Sequence, residues 1–212
     1  MSKRDTMERR AYSFEIRADD SDGVCIIDGR PIVYESKTDL GFFDEIIKRG
    51  ALKNANLKDV RFLVNHDMSR IPLARSRNNN ENSTMQLRPD DDGLAIRVKL
   101  DVENNTEARA LYSAVKRGDI TGMSFIFAVG EEDWSGLDTD HPTRSIITIA
   151  EVLEVSAVTF PAYEATEIEA RSKSALDNAR TRATDIARHN APDGAELELE
   201  KEKIKNYVLI WG

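Results

Sequence analysis

Thr121-Gly122-Met123-Ser124-Phe125-Ile126-Phe127-Ala128-Val129 puts Met123, Phe125, Phe127 and Val129 on one side of a period-2 pattern. Ser124, Ile126 and Ala128 fall on the other, so the stretch predicts a strand. A serine flanked by bulky apolar residues costs burial energy unless its hydroxyl finds a partner. Ser124 is thus either a satisfied core serine or a nucleophile, and its strand alone does not choose between them.

Upstream, Ala108, Leu111, Tyr112 and Val115 recur at helical spacing, with Asn105 or Thr106 to cap the start and Gly118 to close the end. Asp90-Asp91-Asp92-Gly93 is a turn signal. Behind it Leu94, Ile96, Val98 and Leu100 alternate as a half-buried strand. Residues 77–83 are Asn-rich and read as a loop, and Val60-Arg61-Phe62-Leu63-Val64 predicts a buried strand that delivers Asn65-His66-Asp67. Residues 42–48 read as a short helix closed by Gly50. Short β-type runs fill residues 12–34, between turn residues such as Asp28, Gly29 and Pro31. Residues 1–10 are charged and read as flexible.

Downstream, residues 131–144 read as a polar loop containing Trp134 and Pro142, and residues 146–160 as a long β segment ended by Pro161. Beyond Thr166 the composition shifts to Ala, Arg, Glu and Asp. Leu176, Ala179, Ala183 and Ile186 then recur at helical spacing, until Pro192-Asp193-Gly194 breaks the pattern. A charged segment leads to Tyr207-Val208-Leu209-Ile210-Trp211. The expected organisation is α+β and mostly β: a flexible segment 1–10, a main domain 11–166, and a charged helical tail 167–212.

Of the 212 residues 40% are hydrophobic, enough for a real core, and no apolar run is long enough to span a bilayer. The first residues are polar, with no apolar signal core behind them. The reading is a soluble protein, cytosolic at synthesis and without a membrane partner. A net charge of -8 argues against a general nucleic-acid binder. Cys25 is the single cysteine, which excludes an intrachain disulfide and a cysteine-rich metal site.

Only three histidines offer an imidazole. His189 lies in the charged tail and His141 precedes Pro142 in a polar loop. His66 ends a buried strand, where an imidazole can be both oriented and reachable; it reads equally as a hydrogen-bonding strand end. Glu154 interrupts Val152-Leu153-Glu154-Val155-Ser156-Ala157-Val158. Alternation puts it with Val152, Ser156 and Val158, opposite Glu151, and it is either paired or turned to solvent at a sheet edge. Ser124, His66 and Glu154 together supply the hydroxyl, imidazole and carboxylate of nucleophilic acyl transfer. Cys25 has no accompanying acid or base motif, and His66-Asp67 has no second histidine at metal-ligand spacing.

Several blocks, in order, resemble one family. Phe62-Leu63-Val64-Asn65-His66-Asp67 followed by Ile71-Pro72-Leu73-Ala74-Arg75 is similar to the histidine motif of the prohead proteases of tailed bacteriophages. Lys116-Arg117-Gly118-Asp119-Ile120-Thr121-Gly122-Met123-Ser124-Phe125-Ile126-Phe127 resembles their serine motif. Leu153-Glu154-Val155-Ser156-Ala157-Val158-Thr159-Phe160-Pro161-Ala162-Tyr163 resembles their closing motif. Gly41-Phe42-Phe43-Asp44-Glu45-Ile46 with Gly50-Ala51-Leu52, and Asp90-Asp91-Asp92-Gly93-Leu94, match two further blocks. Ala74 and Ile126 stand where the family usually has glycine.

The resemblance implies a closed or partly closed β-barrel decorated by helices, like the herpesvirus assembly proteases. It implies a serine endopeptidase inside the procapsid, in the host cytoplasm. Its substrates would be the major capsid protein and scaffold, and itself by autoproteolysis. Ser124 would be the nucleophile, His66 the base and Glu154 the orienting residue, with Asp67 and His141 as competitors for the third place and Arg75 as a helper. No cofactor or metal is implied, and self-association fits confinement in a shell. The rival reading is a catalytically silent scaffold or minor capsid protein with the same fold.

Overall fold

The strand that opens at Gly122 does not stop at Val129. β10 (Gly122–Ser135) turns at Gly136 and returns as β11 (Thr143–Val158), one long antiparallel hairpin. The computed structural model describes residues 7–12, 16–21, 24–159 and 165–189. Of residues 131–144, expected as a polar loop, 131–135 and 143–144 are strand residues of this hairpin. Its charges are compatible with strands because Arg144 donates to Glu132 across the ladder at 2.8 Å, and Trp134 meets the Phe43 ring edge-on at 4.8 Å.

β1 (Met7–Tyr12) pairs antiparallel with the outer edge of β10, so the last residues of the stretch read as a flexible N-terminus are strand residues. On its other side β11 carries two parallel partners, one on each half. β5 (Asp44–Ile47) pairs with residues 143–146, and β6 (Asp59–Val64) with residues 154–157. β4 (Lys37–Asp39) extends β5, and β7 (Ala74–Arg77) extends β6. The helix expected over residues 42–48 is therefore a correction, since β5 occupies it. Phe43, Glu45 and Ile47 are buried alternately, a period of two that a charged residue at a buried position disguises in sequence.

The second sheet is four-stranded, in the order β2 (Ile16–Ser21), β3 (Val24–Val33), β9 (Gly93–Leu100), β8 (Met85–Asp90). Its β8–β9 turn is the one the sequence announces: Asp90 Oδ1 accepts from the N–H groups of Asp92 and Gly93. Gly93 has φ +145, and a Cβ there would lie 1.9 Å from the Ile32 carbonyl oxygen. Gly93→Ala should therefore destabilise the chain by about 2–3 kcal/mol. A shift in urea midpoint no larger than that of a surface substitution would contradict this.

α1 (Thr106–Arg117) starts with the Asn105 side chain accepting from Glu107 and Ala108 N–H, and ends at left-handed Gly118, as the sequence predicts. One cluster of buried side chains joins both sheets and α1, including Ile27, Leu94, Phe62, Phe125, Phe127 and Leu111. Neither sheet closes on itself among the described residues, so the barrel is not seen; β1, β4 and β7 end the first sheet. α2 (Ala165–His189) contains the helix expected beyond Thr166. The chain divides into two compact units, 1–174 and 175–212. The break at Pro192-Asp193-Gly194, the apolar end Tyr207–Trp211, and Phe160 to Tyr163 of the closing motif lie outside the described residues. Among the described residues no helix is long and apolar enough to cross a membrane.

Candidate active site

β6 ends at Val64, and the next two residues both turn left-handed: Asn65 has φ 52 and His66 φ 56. Such backbone costs on the order of 1 kcal/mol or more per non-glycine residue and persists only where its surroundings hold it. The end of β11 supplies the hold. Asn65 N–H donates to Ala157 O at 3.0 Å, and Thr159 N–H donates to Asn65 Oδ1 at 2.9 Å. His66 N–H donates to Ser156 Oγ at 3.0 Å. The chain is thereby folded back over the sheet, and His66 is 4% exposed.

On β10 and β11 the register places Ser124 opposite Ser156 and Ile126 opposite Glu154. Phe127 pairs not with Leu153 but with Val152, so Leu153 is the extra residue of a bulge. The bulge overturns part of the alternation expected over this motif. Val152 follows Phe127 into the core, Glu154 stays with Ser124 and Ser156, and Glu151 follows Ala128 onto the side of Glu154. Glu151 is occupied elsewhere, accepting from Asn56 Nδ2 at 2.8 Å.

The imidazole bridges side chains of the two strands. His66 Nδ1 lies 2.5 Å from Glu154 Oε2, and His66 Nε2 lies 2.5 Å from Ser124 Oγ. The second carboxylate oxygen, Glu154 Oε1, accepts from the Ser156 hydroxyl. Ser124, Glu154 and Ser156 are wholly buried. A proton on Nδ1 shared with the carboxylate leaves Nε2 as an acceptor aimed at the serine. Ser124 Oγ also reaches the Arg10 carbonyl, donating at 2.7 Å. A hydroxyl has one proton, so rotation about its Cβ–Oγ bond decides whether Arg10 O or His66 Nε2 receives it.

The strand that brings this carbonyl is pinned by charge. Arg10 donates to both oxygens of Glu45, from Nε at 2.5 Å and Nη2 at 2.7 Å. Arg144 reaches the same carboxylate at 3.0 Å, and both guanidiniums share Glu8. Burial pushes the Glu8 carboxyl up, but Arg10 and Arg144 outweigh it and hold it below the usual carboxylate range. Burial also opposes the charge on Arg144, yet Glu8 and Glu45 raise its pKa above the ordinary guanidinium value.

The competing residues are elsewhere engaged. Asp67 faces solvent and accepts from the Ser69 N–H and hydroxyl. Arg75 forms an exposed pair with Asp59. Ala74 pairs with Phe62, and Ile126 lies directly across from Glu154. Cys25 packs against the core from β3. His141 stands with Asp39 and Asp44, donor atoms within 4.8 Å of one another, a group in which Asp39 and His141 are exposed and the half-buried Asp44 already pairs with Lys37.

The sequence reading did not assign Ser156, Asn65 or the Arg10–Glu45–Arg144 cluster. For Ser156 and Asn65 the signal was their place beside the acid and the histidine in the same motifs; for the cluster, whose members come from three distant segments, no local signal existed. Beside His66 a cleft of about 430 Å3 opens toward α1, lined by Leu63, Val64, Asn65, Asp67, Leu111 and Ile120.

Residues 12–181 match the family model described as caudovirus prohead serine protease, Peptidase_S78. The chain is similar to the prohead protease of Enterobacteria phage HK97, 30% identical over 129 residues, which are 59% of this chain and 52% of that protein. The chain thus spans about half the length of the curated relative it matches. Among solved structures it aligns with the bacteriophage T4 capsid assembly protease, gp21, at 11% identity and a TM-score of 0.38. That alignment covers 73% of this chain and 99% of the other.

Proposed function

Because the chain belongs to the caudovirus prohead serine protease family, we propose that it is a serine endopeptidase with Ser124 as nucleophile, His66 as general base and Glu154 as the residue that orients the imidazole. One observation carries the assignment: the continuous line of contacts from Glu154 through His66 to Ser124, built from two strands and the turn after a third, with His66 and Glu154 88 positions apart in sequence.

Attack on a scissile carbonyl by Ser124 Oγ transfers its proton to His66 Nε2. Glu154 stabilises the imidazolium that results. His66 then gives the proton to the departing amine, leaving an acyl-enzyme that water hydrolyses by the same route. The substrates are the capsid protein and scaffold of the same phage, and the chain itself, cleaved within the procapsid during head maturation. The cleft beside His66 offers an apolar wall to the bound chain. The tail, 167–212, docks to scaffold or is itself removed by self-cleavage.

A second reading, a catalytically silent assembly protein, is favoured by the complete enclosure of Ser124. Under the protease reading that enclosure is a gate, opened before a peptide can meet the hydroxyl. Coexpression with the neighbouring capsid and scaffold proteins, compared between wild type and Ser124→Ala by intact-mass spectrometry, separates the two. Truncated masses in the wild type and full-length masses in Ser124→Ala are expected. Full-length masses in both, with proheads assembled, would establish the silent reading.

A further inference from the structure

We propose that Ser156 is a positioning residue of the catalytic pair, a role that rests on the protease reading above. A serine oxygen has one proton and two lone pairs. Ser156 gives its proton to Glu154 Oε1 and accepts the His66 backbone N–H at 3.0 Å. One atom therefore holds both members of the pair: the carboxylate by its side chain and the histidine by its main chain. Ser156 also faces Ser124 across the β10–β11 ladder, so the same position in the register fixes all three partners.

Each contact sets something the mechanism needs. With Oε1 held, rotation of the Glu154 carboxylate is restricted, and Oε2 is left to face Nδ1 at 2.5 Å. With its N–H held, His66 keeps the left-handed backbone, φ 56, that folds the ring back over Ser124. Ser156 is not a second nucleophile, since its proton is committed to a carboxylate, with no imidazole to take it up. Nor does it resemble an ordinary core serine bonded to its own strand's backbone. Its acceptor bond reaches a different element, 90 residues away in sequence. Residues that orient a reacting group from behind typically change activity by roughly 10- to 100-fold when removed.

The test compares wild type, Ser156→Ala, Glu154→Gln and the double variant, full length. Each is assayed with a fluorophosphonate probe that labels the active serine, and by steady-state cleavage of a capsid-derived peptide. Ser156→Ala should lower kcat and the labelling rate by roughly 10- to 100-fold, with KM changed no more than about twofold. In the Glu154→Gln background the same substitution should cost much less, because it acts through that carboxylate.

The low-field proton resonance of His66 Nδ1–H should shift or broaden in Ser156→Ala. If Ser156→Ala does not fold, Ser156→Cys, close in volume with a weaker donor, takes its place with the same expected direction. Equal labelling rates and an unshifted resonance would overturn the role. So would costs that simply add in the double variant, or a change confined to KM. Absence of Ser124 labelling in the wild type would sink the protease reading itself, and this role with it.

Discussion

His66→Ala is expected to lower peptide cleavage by roughly 10⁴- to 10⁶-fold while leaving KM nearly unchanged. The hydroxyl of Ser124 is too weakly acidic to attack a carbonyl unaided, and the atom placed to take its proton is His66 Nε2, at 2.5 Å. The other acceptor within reach, Arg10 O at 2.7 Å, can hold the proton by hydrogen bond but cannot remove it. Removing the imidazole therefore removes proton transfer and leaves the binding surface in place.

The same substitution strips a buried carboxylate, Glu154, of its ring partner, which on its own costs stability. Urea unfolding must accompany the kinetics for that reason. His66→Ala/Glu154→Gln, which removes the buried charge as well, is the control that keeps the chemistry testable if the single variant unfolds. Cleavage by a folded His66→Ala chain within about tenfold of wild type would show that His66 is not the base.

How much of this was legible depends on distance along the chain. Ser124, His66 and Glu154 each sat within a short run whose local pattern was already odd: a serine or a carboxylate at an apolar strand position, a histidine at a strand end. Period-2 alternation found β9 and the first half of β10, because in those segments the sequence period and the strand period agree, and the apolar run over 60–64 found β6. It failed at Leu153, where one inserted residue reverses the faces of Val152 and Glu154 relative to each other.

It failed again at β5. Residues 42–48 read as a helix, and the two arginines that make the burial of Glu45 tolerable come from β1 and β11, outside that window. The polar half of the β10–β11 hairpin read as a loop for a similar reason, since Arg144 and Glu132 cancel each other only once the strands are side by side. Charges that neutralise one another across strands are invisible to a window of sequence. Ser156 was readable as a face but not as a role, since the role proposed for it is defined by two groups that meet only in the fold.

Glu45→Ala is the substitution expected to damage the fold most. Its carboxylate is 1% exposed and takes two hydrogen bonds from Arg10 and one from Arg144, both arginines being 3% exposed. Without it, Arg10 and Arg144 compete for Glu8, and one buried guanidinium is left undercompensated. Breaking a buried pair by removing one partner costs about 3–5 kcal/mol, a large fraction of the roughly 5–15 kcal/mol that a domain has.

The Coulomb gain of the cluster is not by itself the reason for this loss. The penalty is the desolvated charge left behind, so Arg10→Met/Glu45→Leu, which removes both ends, should recover most of the stability and retain Arg144 with Glu8 and Glu132. The consequence reaches the proposed active site through β1. Arg10 contributes its side chain to the ion cluster and its carbonyl to Ser124, so an unpinned β1 no longer holds the hydroxyl of the proposed nucleophile.

Urea unfolding should show a midpoint drop in Glu45→Ala that is largely reversed in the double variant. At denaturant concentrations too low to unfold either chain, Ser124 should react with a fluorophosphonate faster in Glu45→Ala than in wild type. Equal stability of Glu45→Ala and wild type would mean that the cluster holds nothing. A stability loss with unchanged Ser124 reactivity would mean that β1 does not gate the site.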